Sequence, residues 1–146
     1  MIYAEILAGG KGTRMGNTEL PKQFLMLGKK PTFIHTVEQF LLNKRIDKVL
    51  ICCPEQWLSY TRDIVKKYLG VNDRVIIVKG GATRNDTILS GIQYIEDNYG
   101  INDEDIILTH DAVRPFITQR IINDNIDGAV KYGAVDTVVE AFDTIV

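Results

Sequence analysis

Residues 49–81 read VLICCPEQWLSYTRDIVKKYLGVNDRVIIVKGG, and this stretch decides the fold. Val49 to Cys53 is an unbroken apolar run that Pro54 stops. A strand that is apolar on both faces is covered on both faces. From Gln56 to Leu69, the side chains of Trp57, Thr61, Ile64, Val65, Tyr68 and Leu69 share one side of a helix, and Gly70 supplies its stop. Arg74 to Val78 is a second apolar strand, ended by Gly80-Gly81. Strand, amphipathic helix and strand form a parallel unit, whose crossover is right-handed.

The same alternation extends in both directions. Tyr3 to Ala8 is a short apolar run that opens onto glycines. Phe33 to Leu42 places apolar residues at 33, 34, 37, 40 and 41, which is helical spacing. Asn85 to Asn98 predicts a helix with Ile88, Leu89, Ile92 and Ile95 inward and Gly100 beyond its end. Ile106 to Thr109 is a fourth strand. Thr118 caps a helix to Tyr132, with Ile122, Ile126, Ala129 and Val130 inward and Gly133 after it. Ala134 to Ala141 reads as a further strand, and the run from Val135 to Val146 stops with no closing helix. The pattern predicts a single domain over residues 1–146. Its fold is a Rossmann-like, three-layer α/β arrangement with a mostly parallel sheet and helices on both faces. Such sheets bind ligands beyond the carboxyl ends of their strands, which points to the loops after residues 8, 53, 78, 109 and 141.

Composition narrows the function classes. The 146 residues carry 17 lysines and arginines against 19 aspartates and glutamates, so the net charge is 17 − 19 = −2. A near-neutral chain gives no reason to expect a nucleic-acid partner. At 45% apolar and 25% charged residues, the chain has the makeup of a folded domain and not of a disordered one. No apolar run reaches membrane-spanning length, and MIYAEILAGG lacks the basic flank and cleavage site of a signal peptide. Cys52 and Cys53 are adjacent, so in a strand they point to opposite faces and do not pair. They read as reduced core residues of a cytoplasmic protein.

The chemistry collects at the predicted loops. Residues 9–16 read GGKGTRMG, with four glycines in eight residues and two cations, Lys11 and Arg14. Glycines allow close backbone approach, and bare N–H groups cradle anions. The loop reads as phosphate-binding, yet two familiar phosphate patterns fail. G-x-x-x-x-G-K-[ST] needs glycine at position 5, which is Glu5, and Ser or Thr at position 12, which is Gly12. G-x-G-x-x-G needs glycine at position 15, which is Met15. Next comes Pro21-Lys22-Gln23-Phe24, in which Pro21 fixes the backbone and Phe24 anchors the segment. On its own features Lys22 reads as a solvated surface lysine.

Gly80-Gly81-Ala82-Thr83-Arg84-Asn85-Asp86-Thr87 leaves a strand and opens a helix. It offers free N–H groups and side-chain donors for a base, ribose or phosphate, and it is equally a helix start capped by Thr83 or Asn85. Thr109-His110-Asp111-Ala112-Val113-Arg114-Pro115-Phe116 follows the fourth strand. Asp111 there is a candidate Mg²⁺ ligand, since magnesium takes one or two carboxylates plus substrate phosphates. Arg114 is placed to pair with Asp111 or to hold a phosphate. His110 reads as a packed, hydrogen-bonded residue and not as a base, and His35 has no partner cluster. The chain has no zinc-type Cys/His spacing and no nucleophile-elbow serine.

Taken in order, Leu7-Ala8-Gly9-Gly10-x-Gly12-x-Arg14-Met15-Gly16, Pro21-Lys22-Gln23, Gly80-Gly81 with Arg84, and His110-Asp111-Ala112-x-Arg114-Pro115 resemble the cytidylyltransferases that activate alditol phosphates. Two branches compete, one acting on 2-C-methyl-D-erythritol 4-phosphate in isoprenoid synthesis and one on D-ribitol 5-phosphate in wall teichoic acid synthesis. Leu7-Ala8-Gly9-Gly10 stands where the first branch usually has Pro-Ala-Ala-Gly, and Val113 where it usually has a second alanine. Arg84 to Ile88, Thr109 and Ala134 to Val138 also resemble the ribitol branch.

The resemblance implies a nucleotidyltransferase fold and direct attack of the acceptor phosphate on CTP, with no covalent enzyme intermediate. It implies that Leu7, Ala8, Gly9 and Gly10, with Gly81, Ala82, Thr83, Arg84, Asn85, Asp86 and Thr87, hold CTP. It makes Arg14 and Lys22 catalytic, reversing the reading of Lys22 as a surface residue, and makes Asp111 the Mg²⁺ ligand. Arg114 and Thr144 are weaker candidates for the acceptor side. The relatives continue well beyond the equivalent of Val146, and those later residues supply a homodimer arm and part of the acceptor pocket. The expectation is therefore a CTP-binding portion of a longer enzyme, slow or inactive in turnover alone. Two other readings stay open: a non-catalytic CTP-binding module, and a related nucleotidyltransferase using another base.

Overall fold

The computed structural model describes residues 1–10 and 20–140. Four parallel strands form the main sheet: β1 (Ile2–Leu7), β4 (Lys48–Cys53), β5 (Val75–Lys79) and β6 (Ile106–Asp111). Their spatial order is β5-β4-β1-β6. The helices are α1 (Thr32–Leu42), α2 (Leu58–Leu69), α3 (Arg84–Tyr99) and α4 (Gln119–Tyr132). Two short strands, β2 (Met26–Leu27) and β3 (Lys30–Pro31), form a hairpin. Its turn begins at Gly28 with φ 65, a conformation that favours glycine.

The sheet is covered on both faces, as predicted, and the coverage is uneven. Phe33, Ile34, Val37 and Phe40 of α1, Ile64 and Val65 of α2, and Ile122 and Ile126 of α4 pack with Ala4, Ile6, Val49, Ile51 and Cys53. Each such buried side chain contributes about 1.5–3 kcal/mol. On the other face α3 is the one covering helix among the described residues, with Ile95 packed among Tyr3, Leu7, Leu50, Cys52 and Val78. Cys52 and Cys53 are free, buried and divided between the two faces.

The strand order positions the site. From β1 the chain steps outward to β4 and β5, then α3 carries it back across to β6 on the far side of β1. The order reverses between β1 and β6, and a crevice opens outside their carboxyl ends. Leu7 and Asp111 pair in register there.

Three sequence expectations need correction. Residues 134–140 form no strand and are exposed. This segment turns back along α4, where Asn125 Nδ2 donates to Thr137 Oγ1 at 2.7 Å. Val135 lies so close to Gly128 that a Cβ there would come within 2.7 Å of it. Its contacts are therefore with the surface of α4, and β6 is the sheet edge among the described residues. Residues 141–146 lie outside the described residues. Leu89 is exposed because α3 meets the sheet on a narrow stripe of Thr87, Gly91 and Ile95. Val130 is exposed because only Ile122 and Ile126 of α4 are fully covered by the sheet. No helix of the described residues is long and apolar enough to cross a membrane.

Candidate functional site

Three predicted segments converge on the carboxyl edge of β1. The first is the exit of β1 itself. Leu7 accepts from the Ala112 N–H at 3.0 Å, and the Ala8 N–H donates to the Cys52 carbonyl at 2.8 Å. The strand is thus held on both sides up to the point where Gly9 and Gly10 begin the loop. Lys11, Gly12, Arg14 and Gly16, with the rest of residues 11–19, lie outside the described residues, as does Thr144.

Chain re-enters beside this exit as a 3-10 turn, Lys22–Phe24, started by Pro21. Phe24 is 4% exposed and meets Phe33, Trp57 and Tyr60 at ring-centroid distances of 5.7, 5.3 and 5.0 Å. That aromatic anchor makes Lys22 a placed charge on a fixed turn. The Gln23 side chain points inward and donates to the Ala8 carbonyl at 2.7 Å.

The second segment runs from β5 into α3. Thr83 is the cap: its hydroxyl accepts from the Asp86 N–H at 3.1 Å, and the Asp86 carboxylate accepts from the Thr83 N–H at 3.0 Å. Asp86 is therefore engaged in the cap, while Ala82, Arg84 and Asn85 are exposed at the helix start. Thr87 is buried and ties the loop inward. Its hydroxyl donates to the Thr83 carbonyl at 2.8 Å and accepts from the Gly81 N–H at 3.2 Å. It also borders the first loop, since a Cβ on Gly9 would lie 3.5 Å from the same oxygen. Gly81 is tighter still, because a Cβ there would stand 2.7 Å from the Asp86 carbonyl carbon. Gly81→Ala is expected to displace this loop and, if it holds CTP as the sequence resemblance implies, to weaken CTP binding at least about tenfold, a loss of about 1.4 kcal/mol. Unchanged affinity by titration calorimetry would remove the loop from the site.

The third segment is the end of β6. Asp111 accepts from Arg114 Nε at 3.0 Å and faces the Arg84 guanidinium at 3.5 Å. Arg84 comes from α3, so the pair bridges the second and third segments. His110 is a packed, hydrogen-bonded residue: Nε2 contacts the Arg114 carbonyl at 2.9 Å, and the ring lies 5.2 Å from Phe40. His35 is bonded to the Leu27 carbonyl. An open groove of about 1400 Å³ begins at Arg84, Asp111 and Arg114 and runs down the outer side of β6 to Asp103. Only its upper end belongs to this cluster.

As a magnesium ligand, Asp111 fits the sparse style of that ion, one carboxylate completed by substrate phosphates. The described residues contain no cluster of three or more His, Cys, Asp or Glu side chains that would hold a metal alone. Both arginines now on Asp111 are also ready partners for phosphate oxygens.

Sequence reasoning missed two residues. Glu5 is fully buried between β1 and α3, and neither carboxylate oxygen has a hydrogen-bond partner among the described residues. Burial pushes its carboxyl up to about 7. Gly91 makes the room for it, because any Cβ there would collide with that carboxyl. The available signal was a charged residue in mid-strand with apolar neighbours on either side. Gln23 is the other, and its signal was the Pro54 that ends β4.

The sequence model of the family described as IspD, 2-C-methyl-D-erythritol 4-phosphate cytidylyltransferase, matches residues 2–146. A ribitol-5-phosphate cytidylyltransferase of Lactiplantibacillus plantarum is 63% identical over all 146 residues, and the chain spans 62% of that protein's length. Among solved structures, the 4-diphosphocytidyl-2C-methyl-D-erythritol synthase of Anaerococcus prevotii superposes with a TM-score of 0.67 at 24% identity, over 89% of this chain and 51% of that one. A second 4-diphosphocytidyl-2C-methyl-D-erythritol synthase gives a TM-score of 0.72 at 22% identity, over 90% of this chain and 55% of its own. At those identities the structures speak to the fold alone, and the α/β fold with a parallel sheet agrees.

Proposed function

The chain belongs to the 2-C-methyl-D-erythritol 4-phosphate cytidylyltransferase (IspD) family, and on that premise we propose that it transfers the cytidylyl group of CTP to D-ribitol 5-phosphate, giving CDP-ribitol and pyrophosphate. The observation that carries this reading is the bridge of Arg84, Asp111 and Arg114 beside Gly9 and Thr87 at the strand-order reversal. Anion-binding groups gather there, and no placed nucleophile stands with them among the described residues. That suits direct transfer between two phosphates.

In this reading an oxygen of the acceptor phosphate attacks the α-phosphorus of CTP. One phosphorus–oxygen bond forms, and the bond to the β-phosphate breaks as pyrophosphate leaves. Catalysis is then positioning plus neutralisation of the charge at the α-phosphorus. Lys22, on its anchored turn, supplies positive charge to those oxygens, and Arg14 has the same role. Leu7 and Ala8, whose backbone groups are tied to Ala112, Cys52 and Gln23, fix the start of the loop, backbone groups of Gly9, Gly10 and Gly81 to Thr87 hold the nucleotide, and the small pyrimidine is read at the capped start of α3. Asp111 would hold Mg²⁺, which when bound neutralises triphosphate charge. Arg84 and Arg114 then turn from the carboxylate to substrate phosphates. Asp111→Asn is expected to raise the magnesium concentration that half-saturates CTP binding by about tenfold. An unchanged magnesium titration would take Asp111 out of the metal site.

The ribitol acceptor rests on the 63% identical relative described as acting on ribitol 5-phosphate. The family description favours methylerythritol phosphate as a second reading. The resemblance further implies a cytoplasmic homodimer that feeds wall teichoic acid synthesis. A matrix of CTP, UTP and ATP against ribitol 5-phosphate and methylerythritol 4-phosphate, read by pyrophosphate release from a chain extended to the length of the relative, tests substrate choice. Release confined to CTP with ribitol 5-phosphate is expected. Release with methylerythritol 4-phosphate alone would replace the acceptor.

A further inference from the structure

β4 ends at Pro54, and this leaves a gap in the ladder beside β1. In a parallel pair, a residue donates to one residue of its neighbour and accepts from the residue two further on. Ala8 donates to the Cys52 carbonyl at 2.8 Å, so the matching donor for the Ala8 carbonyl is the N–H of residue 54. Proline has none. Ala8 is 3% exposed, and a buried carbonyl left without a donor is costly.

Gln23 takes the vacant place. It is 2% exposed, and its Nε2 donates to the Ala8 carbonyl at 2.7 Å. The bond joins two segments that no strand pairing connects. One is the exit of β1, where Gly9 and Gly10 begin the glycine loop. The other is the turn that carries Lys22. Phe24 anchors that turn among aromatic rings on its far side. Phe24 thus sets how deep the turn sits, and the Gln23 amide sets its distance from the loop.

We propose that Gln23 is a positioning residue: its amide, standing in for the N–H that Pro54 lacks, holds Lys22 at a set distance from Ala8, Gly9 and Gly10 at the exit of β1. The consequence for turnover rests on the cytidylyltransferase reading, whereas the coupling of the two segments does not.

Four chains test it: the parent, Gln23→Ala, Pro54→Ala and the double variant. Pro54→Ala restores an N–H at position 54, so the double variant satisfies the Ala8 carbonyl again without retying the Lys22 turn. Gln23→Ala is expected to lower the melting temperature and, in a chain extended to its relative's length, to slow pyrophosphate release from CTP by about ten- to a hundredfold, the scale of an ångström of misplacement. In the double variant the melting temperature should recover while release stays near that of Gln23→Ala. Recovery of both together would reduce Gln23 to a filler of one hydrogen bond and overturn the proposal. So would unchanged release in Gln23→Ala. Amide hydrogen exchange reads the coupling in the 146-residue chain whether or not it turns over CTP, and the functional reading fails separately if a parent chain extended to its relative's length releases no pyrophosphate. Gln23→Ala should speed exchange at Ala8, whose N–H bonds the Cys52 carbonyl, and at Phe24 and Leu25, whose N–H groups close the Lys22 turn, and the double variant should restore protection only at Ala8. Equal recovery of both segments, or no change in either, contradicts the proposal.

Discussion

In a chain extended to the length of its relative, replacing Lys22 by alanine is expected to slow pyrophosphate release from CTP by about a hundredfold to a thousandfold, the usual cost of removing one charge-stabilising donor from a transfer site. The fold should survive, because the turn is held by neighbours of Lys22 and not by its ammonium. Pro21 sets the backbone, Phe24 fills an aromatic pocket and Gln23 bonds to Ala8. CTP affinity should shift only a few-fold, since an interaction made chiefly in the transition state lowers kcat and leaves ground-state binding nearly intact. The check is a comparison of kcat, CTP affinity and melting temperature between parent and variant. Near-parent release with a folded protein would remove Lys22 from catalysis.

The second large effect concerns stability. The Glu5 carboxyl is pushed from 4.5 up to about 7 by burial. An unfolded chain gives up that proton near pH 4.5, while the folded chain retains it to about pH 7. Between those values the unfolded state binds fewer protons, so stability falls as pH rises, and it levels off above pH 7. The full loss is about 3 kcal/mol. No cation among the described residues offsets it: Glu5 faces Gly91 on α3, pairs in register with Thr109 on β6, and lies beside the Cys52 thiol on β4, which burial and then the Glu5 charge push up. Glu5→Gln has the shape of the protonated acid and cannot ionise. It should match the parent at pH 4.5 and exceed it by about 3 kcal/mol at pH 8. Urea midpoints at the two pH values provide the measurement. Parallel curves for parent and variant would show that Glu5 ionises freely in the folded protein.

Residues whose pattern repeats were legible in the sequence. The runs at β4 and β5 are apolar on both faces and end at Pro54 and Gly80, and the structure builds the central sheet from them. Thr83 and Thr118 both cap helices through their side chains. What the sequence left hidden depends on which neighbour arrives. Residues 134–140 alternate as a strand would, yet the structure lays them along α4, where Thr137 bonds Asn125. Leu89 fits a helical stripe, but the stripe that meets the sheet is set by Gly91, whose missing side chain lets Glu5 in. Of the candidate site, the loops and their order were legible because glycines and charges at strand ends have few other uses. The bond from Gln23 to Ala8 was not, since it depends on a donor missing from a third segment, Pro54.

The central claim is that the crevice beyond β1 and β6 is a cytidine nucleotide site. The most direct test is a calorimetric titration of the 146-residue chain with CTP, UTP and ATP in magnesium. One CTP per chain, bound at least about tenfold more tightly than UTP or ATP, is the predicted result. Equal affinity for all three nucleotides, or no binding of CTP, would contradict it.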